Sequence, residues 1–230
     1  MNEFLIILTL AFTFGLTLLW FYKFREYGLY GLTVFLTIVA NIEVMVVVDA
    51  FGIEMTLGNM LFAGTFLATD MLSEMYDKHS ASRCVKVGIL TSLCMIVITS
   101  IWMKYTPAAS DTMYPAMRQL FANTPRVMIS SLVVYAACQV LDVQLYHWVW
   151  KMTGYSEKHM WIRNNVATLM SQFANAVMFN FLAFYGTMPI DTLVSVIVAN
   201  FLITIVTSML DTPVLYAARA LAKKKHYGKY

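Results

Sequence analysis

The stretch Thr65-Phe-Leu-Ala-Thr-Asp70-Met-Leu-Ser-Glu74-Met-Tyr-Asp-Lys-His-Ser-Ala-Ser-Arg83 decides how this chain folds. It begins inside an apolar run and ends in a charged connector. Before leaving the run it places two carboxylates four residues apart, and a helix puts Asp70 and Glu74 on one face. An acidic side chain at the centre of a membrane helix costs about 2.5–3.5 kcal/mol on insertion scales, so it faces a cavity, a partner or a substrate.

That the run is a membrane run follows from composition. Hydrophobic residues make up 60% of the 230 and charged residues only 13%, against about 25% charge in a soluble domain. The mean hydropathy is +0.66. Seven apolar stretches approach the ~20 residues that a spanning helix needs. They lie at 3–22, 30–50, 56–76, 83–104, 127–150, 162–185 and 191–217, and no soluble domain is left over. The expected fold is an all-α integral membrane protein, one transmembrane domain over 1–230, built as a compact seven-helix bundle. The N-terminus Met-Asn-Glu-Phe has no basic region and no small-x-small site follows, so the first stretch reads as a retained helix.

Basic residues orient it. With seven crossings, all lysines and arginines except Lys104, Arg118 and Arg126 fall on one side, which places the N-terminus outside and the C-terminus inside. An even number of crossings would put the first connector or the tail on the wrong side. The tail Lys223-Lys-Lys-His-Tyr-Gly-Lys229 then reads as a cytoplasmic anchor rather than a lipid-binding switch or a nucleic-acid patch. The net charge of +3 is topological and implies no nucleic-acid partner. Between 105 and 126, Tyr114, Met117, Leu120 and Phe121 mark a short amphipathic helix, an interfacial element or a lid.

Polar residues inside the spans are concentrated in four helices. The third carries Thr65, Asp70 and Glu74. The fifth aligns Ser131, Tyr135, Gln139, Asp142 and Tyr146. The sixth opens with Trp161-Ile-Arg163-Asn-Asn165 and continues with Asn165, Thr168, Gln172 and Asn175. The seventh holds Asn200, Thr204, Thr207 or Ser208, and Asp211. A single Asn, Gln, Ser or Thr in a span is ordinarily an interhelical hydrogen bond worth about 0.6 kcal/mol. Taken together, these acceptor-rich stripes with few internal cations suit a ligand with many N–H donors. The second span has Asn41 and Glu43, about 200° apart on a helix, so they do not share a cavity unless it is locally broken. The first and fourth spans have almost no polar face.

Other chemistries lack their residues. There is no G-x-x-x-x-G-K-[ST], H-E-x-x-H or G-x-S-x-G motif. Cys84, Cys94 and Cys138 form no CxxC pair. His79, His159 and His226 fall in cytoplasmic segments, and His147 lies alone near the inner end of a span. The reading is a small-molecule carrier, not an enzyme, with neither metal nor cofactor.

Three pieces carry a resemblance: Thr69-Asp70-Met-Leu-Ser-Glu74-Met-Tyr76; Pro125-Arg126-Val-Met-Ile-Ser130-Ser131 with Gln139-Val-Leu-Asp142-Val; and Trp161-Ile-Arg163-Asn164-Asn165-Val-Ala-Thr168-Leu-Met-Ser171-Gln172. In this order and spacing the chain resembles the queuosine precursor transporter family, also called the vitamin uptake transporter family. Asp77 stands where members usually carry glycine, and Asn175-Ala176 where they usually carry Asp-Ser or Asp-Thr. The resemblance implies a multi-pass protein of the cytoplasmic (inner) membrane that imports 7-deazaguanines, namely the cyano or aminomethyl base or queuine, for tRNA queuosine modification.

The chemistry fits. A deazaguanine edge presents an N–H and an amino group that one carboxylate accepts together, and its carbonyl needs a donor such as Gln, Asn or Arg. The flat ring stacks on an aromatic such as Tyr135, Trp161 or Phe66. Expected substrate-binding residues are Asp70, Glu74, Tyr135, Gln139, Asp142, Trp161, Arg163, Asn165, Thr168, Gln172 and Asn175, with Asn41, Glu43 and Asp211 as secondary candidates. Glu74 or Asp142 would grip the base, and Arg163 would orient a carboxylate or close an inner gate. Two alternatives stay open. One is a substrate-binding subunit of a vitamin or nucleobase system that needs separate energising partners, and the other is a structural protein with no ligand. Beyond cargo and membrane lipid the sequence leaves a homodimer open.

Overall fold

The computed structural model describes residues 1–44, 46–121, 125–154, 156–186 and 189–225. His226 and Lys229 of the predicted anchor lie outside the described residues. The elements are α1 (Asn2–Glu43), β1 (Val47–Ala50), β2 (Ile53–Thr56), α2 (Gly58–Met75), α3 (Lys78–Trp102), α4 (Tyr114–Phe121), α5 (Pro125–Thr153), a 3-10 turn (Glu157–His159), α6 (Met160–Phe184) and α7 (Ile190–Lys225).

A straight helix of 42 residues would be about 63 Å long, twice the ~30 Å hydrocarbon core. Instead α1 breaks at Arg25, whose φ of 56° and ψ of −136° are not helical, and its arms 2–24 and 26–43 fold back on each other. Leu16 and Trp20 of the first arm pack on Leu32, Leu36 and Ala40 of the second. The approach is close enough that a Cβ on Gly28 would lie 2.3 Å from the Trp20 carbonyl oxygen, so glycine is required there. The two predicted first spans are thus one helical hairpin. The first arm buries Ile6, Leu10, Thr13, Phe14, Thr17 and Phe21 along a single stripe and exposes Phe4, Leu8, Phe12 and Leu19, a peripheral helix as expected.

One expectation is corrected. The span placed at 30–50 ends as a helix at Glu43, and 47–50 pairs antiparallel with 53–56 as a β-hairpin. The reason is local. Val46-Val47-Val48 is β-branched and resists the helix, and Phe51 and Gly52 both take positive φ, 55° and 76°, the geometry of a two-residue hairpin turn. Asn2 Nδ2 donates to the Asp49 carbonyl at 2.8 Å, and the Phe51 N–H donates to Glu3 Oε1. The hairpin therefore sits against the N-terminus, which fixes the antiparallel sense of the two α1 arms.

Other boundaries move for visible causes. Asp77 caps α3 by accepting the Ser80 N–H at 2.7 Å, so α3 starts at Lys78 rather than 83. α7 runs through Pro213 to Lys225 instead of stopping at 217. α4 is the predicted short amphipathic helix, with Tyr114 donating to the Met103 carbonyl at 2.9 Å.

Among the described residues five helices, counting α1 as one, are long and apolar enough to cross a membrane: α1, α3, α5, α6 and α7. α2 is different. Every residue from 64 to 75 is buried, and α1, α3, α5 and α7 all pack against it. A helix hidden on all sides is the core of its bundle. Large apolar side chains such as Leu90, Val97, Ile129, Phe173, Val198 and Met209 are turned outward instead, the reverse of a water-soluble protein.

Candidate functional site

Because α2 is the buried axis, its polar side chains must find partners on the helices around it, and they do so in three tiers. In the first, Gln139 of α5 donates to Thr65 Oγ1 at 2.9 Å and accepts from Thr69 at 3.4 Å. Tyr135, a turn earlier on α5, is buried against Phe62 with ring centroids 5.5 Å apart. Its hydroxyl fills the space over Gly88 of α3, where a Cβ would come within 2.3 Å of it.

The second tier is acidic. Thr168 donates to Asp70 Oδ2 at 3.3 Å, and Ser171 donates to Asp142 Oδ1 at 2.8 Å. The two carboxyl groups lie within hydrogen-bonding reach of each other across the α2–α5 contact. Asp70 Oδ1 and Asp142 Oδ2 are both buried with no donor among the described residues. Asp211 of α7 stands behind them, held by Asn164 Nδ2 at 2.7 Å. Asn164 also reaches Thr212 at 3.2 Å, and Asn165 donates to Thr212 at 2.8 Å and accepts from Ser208 at 3.0 Å. These bonds tie α6 to α7.

The third tier is ionic. Arg163 is wholly buried and holds Glu74 with a two-pronged fork, Nε to Oε2 at 2.9 Å and Nη2 to Oε1 at 2.6 Å. Tyr146 donates to Glu74 Oε2 at 2.7 Å, the third Arg163 nitrogen reaches the Ser156 carbonyl at 3.0 Å, and the guanidinium lies 4.5 Å from the Trp150 ring. Arg219 of α7 also pairs with Glu74 and, at 3.2 Å, with Glu157, to which Lys223 pairs in turn. Arg163 of α6 holds Glu74, and Arg83 and Lys86, which follow Glu74 in sequence on α3, do not. Arg83 and Lys86 are exposed.

The structure therefore brings Asp70, Glu74, Tyr135, Gln139, Asp142, Arg163 and Thr168 together between α2, α5 and α6. Asp211 joins them from α7. Asn165 is spent on α7, Gln172 and Asn175 bond each other at 3.2 Å half-buried, and Trp161 is 53% exposed. Asn41 bonds its own helix at the Thr37 carbonyl, and Glu43 sits half-buried at the far end of α1.

Four contributors escaped the reading. Asn164 and Ser171 lie one residue off the predicted α6 stripe. Trp150 lies a turn beyond Tyr146. Arg219 follows Asp211 by eight residues, which returns it to nearly the same helix face.

A family model described as "Putative vitamin uptake transporter" matches residues 56–218. The chain belongs to that family. The probable queuosine precursor transporter of Bacillus subtilis (strain 168) is 32% identical over 208 residues, which are 90% of this chain and 90% of that one. No solved structure matches. This vitamin uptake transporter family member is a multi-pass membrane transporter and not an enzyme. The matched segment contains all of α2 to α6 and α7 as far as Ala218, and so holds every residue of the first two tiers.

Proposed function

We propose that this transporter imports 7-deazaguanine precursors of queuosine across the cytoplasmic membrane, with its N-terminus outside and seven crossings. The observation that carries this reading is the pair of buried carboxyls of Asp70 and Asp142, within reach of each other between α2 and α5. Their Oδ1 and Oδ2 respectively receive no hydrogen bond from another side chain or N–H among the described residues. A buried acceptor without a partner costs about 1–3 kcal/mol, more when charged, and a ligand rich in N–H groups removes that cost. The guanine-like edge supplies an adjacent N–H and amino group to one carboxylate. Gln139, a turn from Asp142, supplies an amide donor for the carbonyl, and Tyr135 supplies an aromatic face. The relative in Bacillus subtilis, named for a queuosine precursor, supports the same cargo.

Glu74 has a different part in this reading. Its carboxylate is already satisfied by Arg163 and Tyr146, so the base-reading role falls to Asp142 and Asp70. Asp142→Asn keeps the shape and turns one acceptor into a donor. It should abolish precursor uptake in cells unable to make queuosine, measured as queuosine in tRNA, while the protein stays folded and membrane-inserted. Normal uptake by Asp142→Asn would remove the assignment.

A further inference from the structure

The third tier contains more ionic contacts than holding α2 in place requires. Arg163 and Tyr146 together satisfy both oxygens of Glu74, all from helices that α2 and its neighbours already bury. Arg219 adds a second guanidinium to the same carboxylate from α7. The two arginines differ in what their release would cost. Withdrawing Arg163 strips Glu74 of its fork and leaves a wholly buried cation with a carbonyl and a ring but without its counter-charge. Withdrawing Arg219 leaves Glu74 paired. It also moves a side chain already 11% exposed toward the end of the bundle, where water and Glu157 receive it.

Along its inner half α7 is held in two different ways, on either side of Pro213. Above it, Ser208, Asp211 and Thr212 are pinned to Asn164 and Asn165. Directly below the pins comes Pro213, inside the helix. A proline there withdraws the N–H that the Met209 carbonyl would otherwise accept, which weakens the helix at that turn. Beyond it Leu215, Ala218 and Ala222 are fully buried in the main apolar core, the two alanines through a single methyl group each. At the edge of this arm the contacts are ionic or polar: Arg219 to Glu74 and Glu157, Lys223 to Glu157, the Tyr216 hydroxyl to the Glu157 carbonyl at 3.3 Å, and Lys225 over the Tyr22 ring at 5.6 Å.

We infer that Arg219 is the gate residue of the transport cycle: its bonds to Glu74 and Glu157 hold residues 213–225 closed over the inner mouth, and their release swings this arm about Pro213 to open a path to Asp70. Glu74 lies one turn from Asp70 on α2, so the arm that leaves Glu74 uncovers the acidic tier next. The Glu74–Arg163 pair stays intact and keeps α2 and α6 as one body through the cycle.

The inference rests on the reading of the chain as an alternating-access transporter and not on its cargo, so the test uses no cargo. Ser73, buried between Asp70 and Glu74, is replaced by cysteine in a chain whose own three cysteines are replaced. A membrane-impermeant maleimide is then applied from the tail side of vesicles. In the parent the thiol is protected. Arg219→Gln should raise labelling from the tail side about tenfold and leave the opposite side unchanged, a shift of the gate equilibrium. Arg219→Lys should restore most of the protection. Glu157→Gln, at a half-exposed position that does not endanger folding, should raise labelling in the same direction by about threefold. Unchanged labelling in Glu157→Gln, or an equal rise from both sides in a folded Arg219→Gln, overturns the gate. The labelling changes as expected, in a parent that carries no deazaguanine, would remove the cargo and leave the gate standing.

Discussion

Asp70 and Glu74 stand one turn apart on the same face of α2, and their surroundings give them opposite work. Glu74 meets two guanidiniums and a phenol. Asp70 meets one threonine hydroxyl and the carboxyl of Asp142. A buried charge that loses its partner costs about 3–5 kcal/mol, whereas a hydrogen bond to a charged group contributes about 1.5–3 kcal/mol. Arg163→Ala should therefore lower the unfolding midpoint in detergent far more than Tyr146→Phe, which removes one donor and leaves Glu74 its fork. Equal losses would mean that Arg163 is not the residue that settles Glu74. The four-residue spacing was legible in the sequence and so was the shared face. What the sequence could not supply was that Glu74 pairs with Arg163 and not with Arg83 or Lys86, because that depends on which helix faces are packed together and not on distance along the chain.

At the scale of elements, most of the helices were legible because hydropathy and length set them, but their ends were set by single local contacts. The cap from Asp77 starts α3 early, and the turn at Phe51-Gly52 converts the end of a predicted span into a hairpin. The run Val46-Val47-Val48 is apolar in either state, so hydropathy alone gave no sign of the change. Arg219 was hidden for the same kind of reason, since a helix stopped at 217 has no place for it. Helix contact also puts sharp demands on small residues. Gly88 of α3 lies under the Tyr135 hydroxyl, and an added Cβ would be 2.3 Å away, while a Cβ on Gly15 of α1 meets nothing within 4 Å. Overpacking typically costs about 1–3 kcal/mol. Gly88→Ala should thus destabilise by that order and displace Tyr135 from the first tier, with weaker precursor binding in a thermal-shift titration. Gly15→Ala should be neutral or slightly stabilising, because a helix prefers alanine by about 1 kcal/mol. The reverse ranking would mean that α3 does not approach Tyr135 as closely as described.

For the whole molecule the decisive question is how many times the chain crosses. Among the described residues hydropathy and length pick out five helices, and the count becomes seven only if the arms of α1 cross separately and the short α2 crosses as well. The N-terminus and the β-hairpin share one end, joined by Asn2 and Glu3. The ionic tier, the α5–α6 turn at Glu157 and the end of α7 share one end as well. α2 runs from the first end to the second, since it begins just after the hairpin and finishes at Glu74 and Met75. The basic residues collect at the second end, which the proposed topology, by the positive-inside rule, puts in the cytoplasm. A phosphatase fused within 103–113 should then be active outside the cell, and a fluorescent protein fused at the C-terminus should mature inside it. Both fusions on one side would require an even number of crossings after 113, and α5, α6 and α7 cannot provide that unless one of them stays on a single face of the membrane. Such a result would break the α5–α6–α7 arrangement that brings Asp142 and Asp211 to Asp70, and with it the acidic tier on which the proposed import rests.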